Sequence, residues 1–233
     1  MRVIAIDGPA GAGKSTIARA LAARLGLQYL DTGAMYRAVT FAAMRRDLPL
    51  GDIAAIGRLA REASLEVSER GVLVEGSDVT AAIRTPEVTA AVSRVAANSE
   101  VRAEMRARQQ QWAAAHGGGV IEGRDIGSVV FPDAELKLYL TASPRTRAQR
   151  RVAEAGGDVD EIEAAIAARD HHDSNRADSP LTRADGSIVR EVPLTARGER
   201  VDRFLVEAAG LSRSRLSALI DAGHVQLDGK SVK

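Results

Sequence analysis

In the stretch IDGPAGAGKST, residues 6–16, Gly8, Gly13, Lys14 and Ser15 fit the spacing G-x-x-x-x-G-K-S/T. From Gly8 through Pro9, Ala10, Gly11, Ala12 and Gly13 the chain carries almost no side-chain bulk. Successive backbone N–H groups can therefore turn toward a polyphosphate. The helix-like run that opens with Lys14, Ser15 and Thr16 adds its positive N-terminal end. Lys14 is placed to reach the β- and γ-phosphates, and the Ser15 hydroxyl to bind Mg²⁺. A glycine turn followed by an incidental Lys-Ser is the plainer alternative. The position between an apolar run and a helical run favours the nucleotide reading, with ATP or a relative as ligand.

Three further groups of residues could do chemistry. LDTGAMYR, residues 30–37, supplies Asp31, Thr32, Tyr36 and Arg37, although spacing alone fits an Asx-turn and surface residues equally well. EGRDIG places Arg124 and Asp125 directly after an apolar run, where open α/β sheets build their sites. RDHHDSNR sets Arg169, Asp173 and Arg176 at steps of four and three, on one helical face. Its adjacent His171 and His172 point about 100° apart on a helix and cannot chelate one metal together. SPRTRAQRR offers Arg147, Arg150 and Arg151 as a basic face, which solvation alone would also explain. None of this names the phosphoryl acceptor. Another small-acceptor kinase, of shikimate or adenylate type, and an RNA-binding protein on an inactive kinase scaffold both remain open at this point.

Positioning these residues requires particular elements. Val3 to Ile6 reads as a buried strand and Ile17 to Leu25 as a helix stopped by Gly26. Apolar runs at 120–121 and 136–140 read as further strands, each followed by a turn and then helix-like sequence. Strands separated by helices predict an α/β fold with a parallel sheet. SLEVSERGVLVEGSDVTAAIRT alternates in twos and predicts a small antiparallel insertion. The spacing predicts one long helix over 87–116, with Trp112 in the core and three glycines ending it, then helices over 144–155 and about 159–171.

Composition removes several classes. The 32 basic and 31 acidic residues nearly cancel, which argues against a nucleic-acid or membrane surface for the chain as a whole. With no cysteine, disulfides and thiolate metal sites are excluded. Arginine carries almost all the positive charge, since the lysines are only Lys14, Lys137, Lys230 and Lys233. The opening RVIAID lacks leader-like character and no run of 18 apolar residues occurs, so a cytoplasmic protein is expected.

Together, IDGPAGAGKST, LDTGAMYR, IRTPEV with Ser93 after it, EGRDIGSVVFPDA, SPRTRAQRR and RDHHDSNR with SPLTRADG resemble the bacterial cytidylate kinases. These are the CMP/dCMP kinases of the nucleoside-monophosphate kinase group. The match runs in order over residues 2 to about 189. It implies a phosphate-loop α/β fold and transfer of the ATP γ-phosphoryl group to CMP or dCMP with Mg²⁺; a monomer is expected, although no residue pattern speaks to oligomeric state. It also implies a monophosphate-binding insertion over about 59–97 and a lid over about 144–157 in which Arg147 and Arg151 meet ATP. By the same resemblance Arg37, Arg124 and Arg176 hold the acceptor phosphate, and Lys14, Arg124 and Arg176 are the catalytic cations. Thr32, Arg102 and Asp125 match cytosine-reading positions, a carboxylate being a natural acceptor for the exocyclic N4 amine. Ser93, Arg169 and Asp173 match sugar contacts, and Tyr36 and Arg84 complete the acceptor site.

After about residue 189 the resemblance changes. GERVDRFL, LSRS, Ile220, GHV and DGK, between 198 and 230, resemble part of the S-four-type RNA-binding domain of large-subunit pseudouridine synthases. Residues 190–233 hold eight basic and six acidic side chains, so their charge gives RNA binding little support, and solvated residues are the favoured reading. SIVREVPL is expected to serve as the last strand of the sheet.

Overall fold

The computed structural model describes residues 1–176 and 178–192, together with 226–227 and 230–231. Five strands form one parallel sheet in the order β2-β6-β1-β7-β8. They are β1 (Arg2–Asp7), β2 (Tyr29–Asp31), β6 (Gly118–Glu122), β7 (Leu136–Thr141) and β8 (Ile188–Glu191). Along β1 successive side chains alternate between faces, and every residue from Val3 to Asp7 is buried. Val3 and Ala5 join a cluster with Leu30, Ile121 and the apolar faces of helices α2 (Thr32–Arg45), α3 (Ile53–Glu62) and α5 (Ser99–Ala115). Ile4 and Ile6 join Val120, Leu138 and Leu140 on the opposite face, under α1 (Lys14–Leu25). Full burial of a side chain such as Ile6 contributes about 1.5–3 kcal/mol, and the two-sided burial explains why these strands read as continuous apolar runs.

The antiparallel insertion is present as β3 (Leu65–Ser68), β4 (Gly71–Val74) and β5 (Ser77–Asp78), paired in that order. A short 3₁₀ turn at Ala82–Arg84 and helix α4 (Pro86–Ala96) return the chain to the core. The single helix expected over 87–116 is instead two. Asn98 interrupts it by accepting the Glu100 and Val101 N–H groups at 3.0 and 3.3 Å, an N-cap that competes with helix continuation. Trp112 packs partly buried against the core and stacks on His116.

Helix α6 (Pro144–Ala155) and helix α7 (Val159–Ser174) pack together before β8. The last strand lies where SIVREVPL was expected, pairing Ile188 with Leu138 through Glu191 with Thr141, and it crosses the 189/190 boundary. Val192 then seals the second cluster. Two-residue strands β9 (Gln226–Leu227) and β10 (Lys230–Ser231) pair antiparallel. The remainder of the expected RNA-binding-like segment, including GERVDRFL, LSRS and Asp228-Gly229, lies outside the described residues. Among the described residues no helix is long and apolar enough to cross a membrane.

Candidate active site

In the strand order, the connection from β1 leads to one side of the sheet and the connection from β6 to the other, although the two strands are neighbours. Such a switch point opens a crevice beyond the carboxyl ends of the strands. The phosphate loop leaves β1 there, and Gly123, Arg124 and Asp125 leave β6 beside it. Gly8 has φ 141°, and a Cβ at that position would lie 1.9 Å from the Leu140 carbonyl oxygen, so only glycine lets the loop pass β7. Arg124 donates to Gly8 O at 3.0 Å, Arg147 to Ala10 O at 3.2 Å and Arg150 to Gly11 O at 3.3 Å. Three loop carbonyls are thus held by guanidinium groups. Lys14 is 7% exposed and donates to Pro9 O at 2.9 Å. Burial, with the Arg124 charge second, lowers its pKa to about 7.

The acidic side of the crevice is built around Glu122 at the end of β6. Tyr29 Oη donates to Glu122 in a short contact, and the Ser15 hydroxyl also bonds this carboxylate. Burial, then the nearby Asp31 charge, raises the Glu122 pKa. Burial and the Glu122 charge likewise push the Tyr29 phenol up. Thr32 Oγ1 donates to the Glu122 carbonyl at 2.7 Å, joining β2 to β6 behind the site. Hydroxyl and carboxylate oxygens of this kind suit Mg²⁺, which takes one or two carboxylates and completes its shell with water and substrate phosphates. Among the described residues there is no cluster of three or more histidine or acidic side chains that would form an all-protein cage.

Facing this is a crowd of cations. Arg37 donates to Ile83 O at 3.1 Å and to Thr89 Oγ1 at 2.8 Å, fastening α2 to the returning end of the insertion. Arg84 bridges to Asp31 at 3.3 Å. Arg124 pairs with Asp173 at 3.2 Å, and Arg169 lies 4.0 Å from the same carboxylate. Arg176 donates to the carbonyls of Asp173 and Ser179 at 3.2 and 3.3 Å. Burial is the first cause of lowered pKa values at Arg37, Arg169 and Arg176, and the charges of neighbouring arginines lower each further. For Arg169 the value falls to about 10. Its Nε is buried with no hydrogen-bond partner among the described residues, as is Nε of Arg102. Arg102 is 3% exposed, makes a short ion pair with Asp125, and holds its guanidinium 5.9 Å from the Tyr36 ring centroid. Desolvated, mutually repelling cations with spare donors make a receptor for a multiply charged anion.

Most of the expected site residues meet around this crevice, with four qualifications. Ser93 is half-buried on α4, and no side-chain hydrogen bond involving it is found among the described residues. Arg147 is not a free lid cation: it is 3% exposed and pinned to Ala142 O, Ala10 O and Asp170, the last at 2.6 Å. Arg151 on the same helix is exposed, with its charge felt at Arg37. Arg176 does not continue the helical face of Arg169 and Asp173, because α7 ends at Ser174 and Asn175 caps it by donating its side-chain amide to His171 O at 2.8 Å. Sequence reasoning assigned no role to Tyr29 or Glu122. The available signal was an acid, Glu122, closing an apolar run directly before Arg124 and Asp125.

Comparisons with known proteins agree with this geometry. A cytidylate kinase family model matches residues 4–205. A bifunctional pantoate ligase/cytidylate kinase of Synechococcus sp. (strain CC9311) is 48% identical over 225 residues, covering 92% of this chain and 44% of that protein. A cytidylate kinase of Mycobacterium leprae (strain Br4923) is 46% identical over 208 residues, covering 87% of this chain and 93% of that protein. The chain therefore spans less than half the length of the bifunctional relatives it matches. A phosphate loop at the switch point of a parallel sheet, an arginine-rich acceptor side and this family match lead to one statement: the chain belongs to the cytidylate kinase family.

Proposed function

We propose that the protein transfers the γ-phosphoryl group of ATP to CMP and dCMP. The observation that carries this reading is the set of cations, the buried Lys14 and the half-buried Arg37, Arg124, Arg169 and Arg176, gathered beside a loop whose glycines leave room for a triphosphate. Two anions must approach each other for the reaction, and guanidinium groups already in place neutralise both without reorganising. ATP lies on residues 8–16, with Arg147 supporting the loop and Arg151 meeting the nucleotide as α6 closes. The acceptor phosphate rests on Arg37, Arg124 and Arg176, aided by Arg84. Thr32, Tyr36, Arg102 and Asp125 take the cytosine, and Ser93, Arg169 and Asp173 the sugar. Ser15, with Glu122 behind it, would hold the Mg²⁺, which would supply positive charge to balance the reacting phosphates. Residues 1–189, extended through Val192 to complete β8 and its packing, act as the kinase unit, with the insertion at about 59–97 and the lid at about 144–157.

A coupled assay of ADP release over CMP, dCMP, UMP, AMP and shikimate tests the assignment. CMP and dCMP are expected to be the best acceptors, and UMP worse because it presents an oxygen where cytosine presents its N4 amine. Activity on AMP but not CMP would remove the substrate claim. Arg176→Ala is expected to raise KM for CMP by roughly 10- to 100-fold, the loss of charge-assisted hydrogen bonds, while moving KM for ATP by less than about threefold. An equal loss for both nucleotides would contradict this division of roles.

A further inference from the structure

The register of β1 on β6 runs from Arg2 opposite Gly118 to Ile6 opposite Glu122 and stops there. Arg124 and Asp125, the two residues that must face the acceptor, lie just past this last pair. Four hydrogen bonds from three consecutive residues take over where the ladder ends. Gly123 N–H donates to Ile6 O at 2.9 Å, and Arg124 Nη1 donates to Gly8 O at 3.0 Å. Between them, the Asp7 carboxylate accepts Ile126 N–H at 2.8 Å and Gly127 N–H at 2.7 Å. Those two N–H groups open the single π-helical turn Ile126–Val130, where the first donors have no partner within the turn. The bonds thus bracket Arg124 and Asp125 on both sides, and all of them come from the residues leading directly into the phosphate loop.

Asp7 is an expensive choice for this place. It is 4% exposed, and among the described residues no cation lies in salt-bridge range of it. Burial pushes its carboxyl up to about 6, against the two N–H bonds that favour the anion. A neutral amide of the same size offers one carbonyl oxygen and turns its own N–H₂ toward the second donor. Only a carboxylate accepts both bonds.

We propose that Asp7 is a positioning residue: its carboxylate locks the acceptor-reading segment 123–125 to the phosphate loop, so that in-line alignment of the two substrates depends on it. Asp7 touches neither substrate. Its removal therefore leaves each binding surface present but lets one shift against the other, and misplacement on the order of 1 Å can slow transfer about 100-fold. The proposal rests on the CMP kinase reading.

The test is the variant Asp7→Asn, with kcat measured in the coupled assay and the affinities for ATP and CMP measured separately by calorimetry. The expected result is a kcat lower by about 30- to 100-fold with each separate affinity within about threefold of wild type. Gly127→Ala is the second variant. Its Cβ would lie 3.3 Å from Asp7 Oδ2 and 3.2 Å from the flexible Lys137 side chain, a small push on the same contact. It is expected to lower kcat by about three- to tenfold with affinities kept, and it decides the matter alone if Asp7→Asn does not fold. Normal kcat in the folded variants, or a kcat loss matched by loss of one affinity, overturns the proposal. A wild-type chain that does not phosphorylate CMP overturns the kinase reading first and this inference with it, so the two failures are distinguishable.

Discussion

Lys14→Met is expected to lower kcat/KM for CMP phosphorylation by roughly 1,000-fold, about 4 kcal/mol of transition-state stabilisation, with the fold intact. Methionine keeps the length and apolar stem of lysine, which the buried site accommodates, and deletes only the charge that balances the β- and γ-phosphates. A signature in ATP binding accompanies the loss. Burial holds the Lys14 pKa at about 7 in the nucleotide-free protein, and a triphosphate at the ammonium favours the protonated form. At about pH 8 the free protein carries Lys14 mostly neutral, so ATP binding takes up close to one proton and affinity falls as pH rises through about 7. Calorimetry in buffers of different ionisation enthalpy reads this uptake, and subtracting the Lys14→Met titration removes the contribution of ATP's own phosphate. Equal uptake by the two proteins would show that Lys14 is already charged before ATP arrives.

The second large effect is on stability. Arg102 and Asp125 are 3% and 6% exposed and paired to each other. Arg102→Met leaves a buried carboxylate without its cation, which costs about 3–5 kcal/mol in comparable cases, a large part of the 5–15 kcal/mol that a domain has. Urea denaturation is expected to show that loss, together with loss of detectable CMP binding. The double variant Arg102→Met with Asp125→Leu removes both charges. It is expected to regain most of the stability, because an apolar pair of similar volume avoids desolvating two ions. CMP binding is not expected to return, since nothing remains to accept from the cytosine amine. A double variant that recovers both would reduce the pair to a structural support.

The phosphate loop could be read from its letters because its function is written in backbone geometry. Glycines at 8 and 13 followed by Lys14 and Ser15 dictate a bare loop opening a helix, whatever the rest of the chain does. The parallel sheet followed for a similar reason, since strands buried on both faces must be apolar throughout. The break at Asn98 was missed because helical periodicity continues on both sides of it, and only the cap geometry distinguishes two helices from one. That Arg147 is buried against the phosphate loop was not legible, because spacing gives the face of a helix and not what that face meets. Asp170, the Ala142 carbonyl and the Ala10 carbonyl reach it from other parts of the chain.

What the sequence alone determined, then, is most of what has its cause within a few residues: the loop, the helix stop at Gly26, the alternation of the insertion, and which charged residues cluster along the chain. Tertiary structure decided which of them meet. Glu122 faces Ser15 and Tyr29 across separations of 107 and 93 residues, and Asp7 reaches Ile126 across 119. The strand order β2-β6-β1-β7-β8 makes those contacts by placing β6 beside β1, and neither propensity nor spacing encodes that order locally. The free energy of the site is set the same way: a guanidinium or carboxylate is ordinary in the sequence and becomes reactive only when folding strips its water and sets another charge against it.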